Sequence, residues 1–160
     1  MVSRVLVLGV GNILLSDEGA GVRVVEKLLE GGSFSPLVEL IDGGTMGLEL
    51  LPYLDEKSHL YIVDAIQSPE APGTLLVQEL DDPPAYFRQR ISPHQIGLSE
   101  LLAVAAMQDS LPRFVKLVGI VPLDLSTGLE LSPPVAEAVS AAVSVLRNEI
   151  VALTTDFVDL

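Results

Sequence analysis

The run Val5-Leu6-Val7-Leu8-Gly9-Val10 is unbroken by any polar residue and ends among the glycines Gly9 and Gly11. A strand with one wet face alternates apolar and polar side chains. A run without alternation belongs to a strand covered on both faces, as in a parallel sheet flanked by helices. This segment points the chain toward α/β architectures, and the rest of the sequence follows the same grammar. Further strands are expected at Val38 to Ile41, ending in Asp42-Gly43-Gly44, and at Leu60 to Val63, which delivers Asp64 at its carboxyl end. Two more are expected at Thr74 to Leu80 and Phe114 to Val121.

Helical signals fall between them. Ser16 reads as an N-cap with Asp17 and Glu18 in a first turn that favours acids, and Val22, Val25, Leu28 and Leu29 form a stripe stopped by Gly31-Gly32. A short helix is expected over Met46 to Leu54. Ser92-Pro93-His94-Gln95 fits a capping box, with proline at the first helical position, ahead of Leu98, Leu101, Leu102 and Ala105. Ser132-Pro133-Pro134 opens a last helix along Val135, Val139, Ala142, Leu146 and Ile150. Asp81 to Pro93, with three prolines and few aliphatics, reads as a loop or short irregular segment. Alternating strands and helices predict an α/β fold: a single three-layer α/β/α domain over residues 1–160 with a mostly parallel five-stranded sheet.

With 160 residues, 49% of them hydrophobic, such a domain can bury its core without staples. The chain has no cysteine, which removes disulfides, thiolate nucleophiles and cysteine-type zinc sites. Its formal charge of −13 makes phosphate backbones and anionic lipid poor partners, so neither nucleic acid nor a membrane is expected. No apolar stretch reaches the roughly 18 residues of a membrane span, and Met1 to Gly11 does not read as a signal peptide. A soluble cytoplasmic protein, acting as a monomer, is expected.

In open α/β sheets the working site lies beyond the carboxyl ends of the strands. Asn12, Asp17 and Glu18 follow the first strand, Asp42 the second, and Asp64 the third. His94 opens a later helix that can return to the same edge. One imidazole and two carboxylates suit a borderline divalent metal, or acid–base work. His59, beside Glu56, Lys57 and Ser58, reads as solvated. A dinucleotide fingerprint fails at its third glycine, where Leu14 stands. There is no Gly-Lys-Ser/Thr, His-Glu-x-x-His, Asp-Thr-Gly or Gly-x-Ser-x-Gly. The residues alone therefore stop at a metal or acid–base site on the sheet edge.

Six segments, in order, carry a resemblance that goes further. They are Gly9 to Gly19 with Gly21-Val22-Arg23, Asp42-Gly43-Gly44-Thr45, Val63-Asp64-Ala65, Pro72-Gly73, Ser92-Pro93-His94-Gln95, and Leu117 to Pro122. Along nearly its whole length the chain resembles the maturation endopeptidases of nickel–iron hydrogenases. The resemblance implies a hydrolase that trims the C-terminal extension of a hydrogenase large-subunit precursor once nickel has been inserted. It implies that Glu18, Asp64 and His94 contact that nickel, which the substrate supplies, and that other divalent ions can occupy the site. It leaves open whether the nickel polarises the scissile carbonyl or whether Glu18 or Asp64 is the general base, in aspartyl-type chemistry. Asp42 and Gly43 are expected to help hold the substrate tail, or else to form a turn. A non-catalytic nickel chaperone for the same precursor and a dinucleotide-dependent oxidoreductase are the competing readings.

Overall fold

Residues 2–155 are described by a computed structural model, in which each of the five expected strands forms. The strands are β1 (Val5–Val10), β2 (Val38–Gly44), β3 (His59–Ala65), β4 (Leu75–Glu79) and β5 (Phe114–Ile120). The helices are α1 (Ala20–Glu30), α2 (Leu51–Leu54), α3 (Pro83–Arg88), α4 (Pro93–Met107) and α5 (Pro133–Thr155). Short 3-10 turns precede α1 at Ser16–Gly19 and α2 at Leu48–Leu50.

The strands make one sheet in the order β2-β1-β3-β5-β4. All pairs are parallel except β4 on β5. No helix separates β3 from β4, so the chain runs back in the opposite direction; β5, parallel to β3, lies between the two and takes β4 antiparallel on its outer edge. β1 is buried along its whole length, as its unbroken apolar run requires.

Successive side chains of a strand point to opposite faces. Val5, Val7, Tyr61, Val63, Val118 and Ile120 accordingly face α1 and α5 in one core. Leu6, Leu8, Leu60, Ile62, Val115 and Leu117 face the layer of α2, α3 and α4 in the other. The final helix presents Val135, Val139, Ala142, Leu146 and Ile150 to the first core, along the stripe read from the sequence.

Three local readings are corrected. β2 continues past Ile41 through Gly44, with a register shift between Gly9 and Val10. The segment read as irregular holds α3, where Asp82 accepts a hydrogen bond from Ala85 N–H, Pro83 and Pro84 open the helix, and Phe87 is fully buried. The prolines that argued against a helix are the ones that start it. Ser16 is no N-cap: its φ is +54° and its hydroxyl donates to the Ser126 carbonyl at 2.7 Å.

The turn between β1 and α1 is compact because two glycines allow backbone to meet backbone. A side chain on Gly11 (φ +130°) would strike the Glu18 carbonyl, and one on Gly21 would strike the Val63 carbonyl. Gly21→Ala therefore has to push α1 off the carboxyl ends of β1 and β3. Overpacking of this kind costs about 1–3 kcal/mol, and a urea melt should show a lower midpoint with an unchanged slope.

Candidate active site

Asp64 is the penultimate residue of β3. It shares a face with Ile62, so it points into the layer that contains α4. Its side chain is completely buried, and a buried carboxylate needs donors. α4 supplies them. Leu98, Leu101 and Leu102 pack that helix on the sheet. Its first turn then lies at the carboxyl edge, held by Ser92, whose hydroxyl accepts from Gln95 N–H at 3.3 Å. His94 Nε2 sits 3.0 and 3.2 Å from the two Asp64 oxygens. The Gln95 side-chain amide donates to Asp64 Oδ2 at 2.9 Å.

The other imidazole nitrogen, His94 Nδ1, lies 2.9 Å from Glu18 Oε1 and 3.1 Å from Ser92 Oγ. Glu18 comes from the 3-10 turn after β1, the neighbour of β3. All three sequence-predicted residues thus meet, in a line and not around a point: carboxylate, imidazole, carboxylate. Each ring nitrogen faces a different acid. Among the described residues no group of three or more His, Asp or Glu side chains is arranged to hold a metal ion.

Burial by itself would push His94 down, but the hydrogen bond and charge of Asp64, with those of Glu18, outweigh it and hold the imidazole above its ordinary 6.5. Burial pushes Asp64 up, against the opposing pull of His94, Gln95 and the Ala65 backbone. A charged imidazolium donating from both nitrogens fits this geometry; a neutral ring would set a lone pair against a carboxylate. The line can store and pass a proton. Its ends differ, because the Glu18 side chain is 16% exposed and that of Asp64 is 0% exposed.

Asp42 lies at the same sheet edge, opposite Gly9 in the register. It is exposed, and its carboxylate accepts from Gly44 N–H at 3.0 Å. Gly43 is buried against Leu8. Neither is joined to the Glu18–His94–Asp64 line by a hydrogen bond. His59 is not simply solvated: it stacks on Phe114 at 4.7 Å and bonds Ser58 at 2.8 Å. Burial, then the nearby Lys116, keeps its pKa below the ordinary value.

Two participants escaped the sequence reading. Gln95 was placed in a capping box, yet its side chain reaches Asp64 and does not return to the Ser92 backbone, so only half of the box forms. The sequence places Asp17 in a helical first turn that favours acids, among the polar residues that follow the first strand. It is fully buried and accepts from Leu123, Asp124 and Ser132. Burial pushes its pKa up, but these donors prevail and hold it below the usual carboxylate value. No local pattern marks either role, since the partners are about 30 and more than 100 residues away.

A cavity of about 670 Å³ lies elsewhere, at the amino-terminal edge, lined among others by Tyr61, Arg113, Lys116 and Glu149. In it Tyr61 donates to Glu149 at 2.7 Å and Lys116 pairs with the same carboxylate at 3.2 Å. The titratable line sits at the opposite edge, and there the chemistry is assigned.

A histidine placed by a loop and a helix start is expected to be dispensable for stability, but His94 is 4% exposed and covers a buried carboxylate. His94→Ala should therefore cost roughly 3–5 kcal/mol, the usual penalty for stranding one half of a buried pair, as read by chemical denaturation. The raised folded pKa of His94 also fixes a pH dependence. Its stabilisation is complete below the unfolded value near 6.5 and is lost as pH rises through the folded value. Thermal melts of the wild type should fall over that interval, and His94→Gln should flatten the slope.

The profile of the family described as "Hydrogenase maturation protease" matches residues 22–149. That range includes Asp64 and His94 and begins just after Glu18. The chain is 44% identical over 140 residues to the hydrogenase 2 maturation protease of Escherichia coli, covering 87% of this chain and 85% of that one. It is 40% identical over 149 residues to the hydrogenase expression/formation protein HupD of Rhodobacter capsulatus, covering 92% and 71%. The fold superposes on the hydrogenase maturating endopeptidase HybD from Escherichia coli with a TM-score of 0.85 and 41% identity, covering 91% and 93%. The [NiFe] hydrogenase maturation protease HybD from Thermococcus kodakarensis gives a TM-score of 0.77 at 28% identity, covering 92% and 99%. The chain belongs to the hydrogenase maturation protease family and is an endopeptidase.

Proposed function

We propose that this endopeptidase removes the C-terminal extension of a nickel–iron hydrogenase large-subunit precursor, and that nickel already held by the precursor licenses the cut. The observation that carries the reading is the Glu18–His94–Asp64 line at the carboxyl edge of the sheet. Its donor types, two carboxylates and one imidazole, suit a borderline divalent ion. With no cysteine in the chain, that donor set is hard and incomplete. A nickel ion bound by thiolates of the precursor would complete its shell here. To do so it must displace the proton between His94 and Glu18, so an enzyme without substrate should bind nickel weakly. Cadmium or zinc would occupy the same groups.

Peptide hydrolysis requires a base for water and an acid for the leaving amine. Glu18 is the exposed end of the line and is assigned both tasks in turn: it takes the proton of the attacking water and returns it to the amine as the C–N bond breaks. With Oε1 sharing the nickel ion with His94 Nδ1, the second Glu18 oxygen would carry the proton, and Asp64 anchors His94. Nickel supplies registration of the scissile peptide and polarisation of its carbonyl. Asp42, exposed beside Gly43-Gly44 at the end of β2, is assigned to the substrate tail. We assign the reaction to a cytoplasmic monomer; no helix among the described residues is long and apolar enough to cross a membrane.

The decisive experiment offers nickel-loaded and nickel-free precursor to the enzyme in chelator-treated buffer and follows the extension by mass. Loaded precursor should be trimmed and nickel-free precursor should stay intact. Efficient trimming without nickel would remove the metal from the reading. Glu18→Gln should lower kcat by about 10²- to 10⁴-fold, the usual contribution of a general base, while keeping the wild-type melting profile within a few degrees.

A further inference from the structure

Asp17 precedes Glu18 and is buried completely. Among the described residues no cation pairs with it. Its Oδ2 accepts from Leu123 N–H at 2.9 Å, Asp124 N–H at 2.8 Å and Ser132 Oγ at 2.7 Å, and its Oδ1 accepts from Ser132 N–H at 2.8 Å. All these donors belong to the loop between β5 and α5. The backbone adds to the clamp. Asp17 N–H donates to the Asp124 carbonyl at 3.0 Å, Ser16 N–H to Gly128 at 2.9 Å, and Gly128 N–H to Leu14 at 2.8 Å. The Ser16 hydroxyl donates to Ser126 at 2.7 Å.

Three consecutive residues therefore show three unusual features. Ser16 holds a left-handed backbone, unfavourable for a residue with a side chain. Asp17 is a carboxylate buried without a counter-ion. Glu18 is the exposed end of the working line. Eight hydrogen bonds tie the residues just before Glu18 to one distant loop. On the other side, the Glu18 carbonyl packs against Gly11. The turn is held on both sides, and the Glu18 carboxylate lies 2.9 Å from His94 Nδ1.

We propose that Asp17 is a positioning residue: by receiving four donors of the β5–α5 loop it fixes the strained Ser16–Glu18 turn and thereby the bond between Glu18 and His94. The loop is thus a supporting wall of the active site and not a mere connection. A carboxylate suits the task because it offers acceptors on both oxygens and donates nothing. Asparagine has the same shape but must turn an NH₂ group toward at least one of the loop donors. The inference rests on the reading of Glu18, His94 and Asp64 as the working groups, not on nickel or on the identity of the precursor.

The test compares ¹⁵N resonances of the His94 ring in the substrate-free wild type, Asp17→Asn and Glu18→Gln. Asp17→Asn should move Nδ1 in the same direction as Glu18→Gln and leave Nε2, which faces Asp64, near its wild-type position. Amide exchange at Leu123, Asp124 and Ser132 should quicken. On cleavable precursor, kcat should fall on the order of 10²-fold, the penalty of a misplaced group, with KM little changed. Ser132→Ala, which removes one of the four donors, should give a smaller change of each kind and serves if Asp17→Asn does not fold. An unchanged Nδ1 resonance with faster loop exchange would overturn the proposal and leave Asp17 as a loop anchor. Because the spectra need no precursor, a failure of the nickel reading would appear in the cleavage assay alone.

Discussion

Asp64 is the penultimate residue of a strand that is buried on both faces, and its carboxylate receives no solvent. Taking such a group out of water is unfavourable by several kcal/mol unless donors replace the lost hydration. The rest of the site follows from that requirement. A helix must begin where its first turn reaches the carboxyl edge, and α4 does, with Ser92 and Pro93 fixing its start. The second and third residues of that helix, His94 and Gln95, then bring their donors to Asp64. Once His94 gives one nitrogen to Asp64, its other nitrogen needs a partner as well, and Glu18 provides it.

The same demand makes the site asymmetric. Asp64 is sealed from solvent, whereas the Glu18 side chain keeps 16% of its surface exposed. A chain of two acids and one imidazole would be poorly ordered in water, where each group is solvated independently. In the low-dielectric edge of the sheet the bonds reinforce one another, and the proton they share becomes a structural component.

A second layer of support surrounds the line. Gly11 and Gly21 let α1 and its preceding turn press against β1 and β3 with no side chain between them. Asp17 binds the turn to the β5–α5 loop. Glu18 thus stands on backbone contacts and the Asp17 bonds, whereas His94 and Gln95 stand on the packing of α4 against the sheet. The two apolar cores lie below, one on each face of the sheet, and bear on the site only through the strands and helices that they hold.

By itself the sequence determined the architecture. The unbroken run at Val5–Val10, the spacing of turn residues and the stripe of α5 are local or periodic, and they suffice for five strands, the helical layers and a working edge at the carboxyl ends. The named candidates Glu18, Asp64 and His94 were legible as motif positions. Tertiary structure alone decided how they meet: His94 lies between the acids, so the donors form a line and not a cage. It also decided that Asp17 is buried, that Gln95 serves Asp64 in place of its own helix end, and that the proline-rich stretch at Pro83–Arg88 coils into a helix closed by Phe87. In each of these the deciding partner is distant in sequence. Hydrogen-bond satisfaction in a buried setting is a property of the assembled neighbourhood, and no window along the chain contains it.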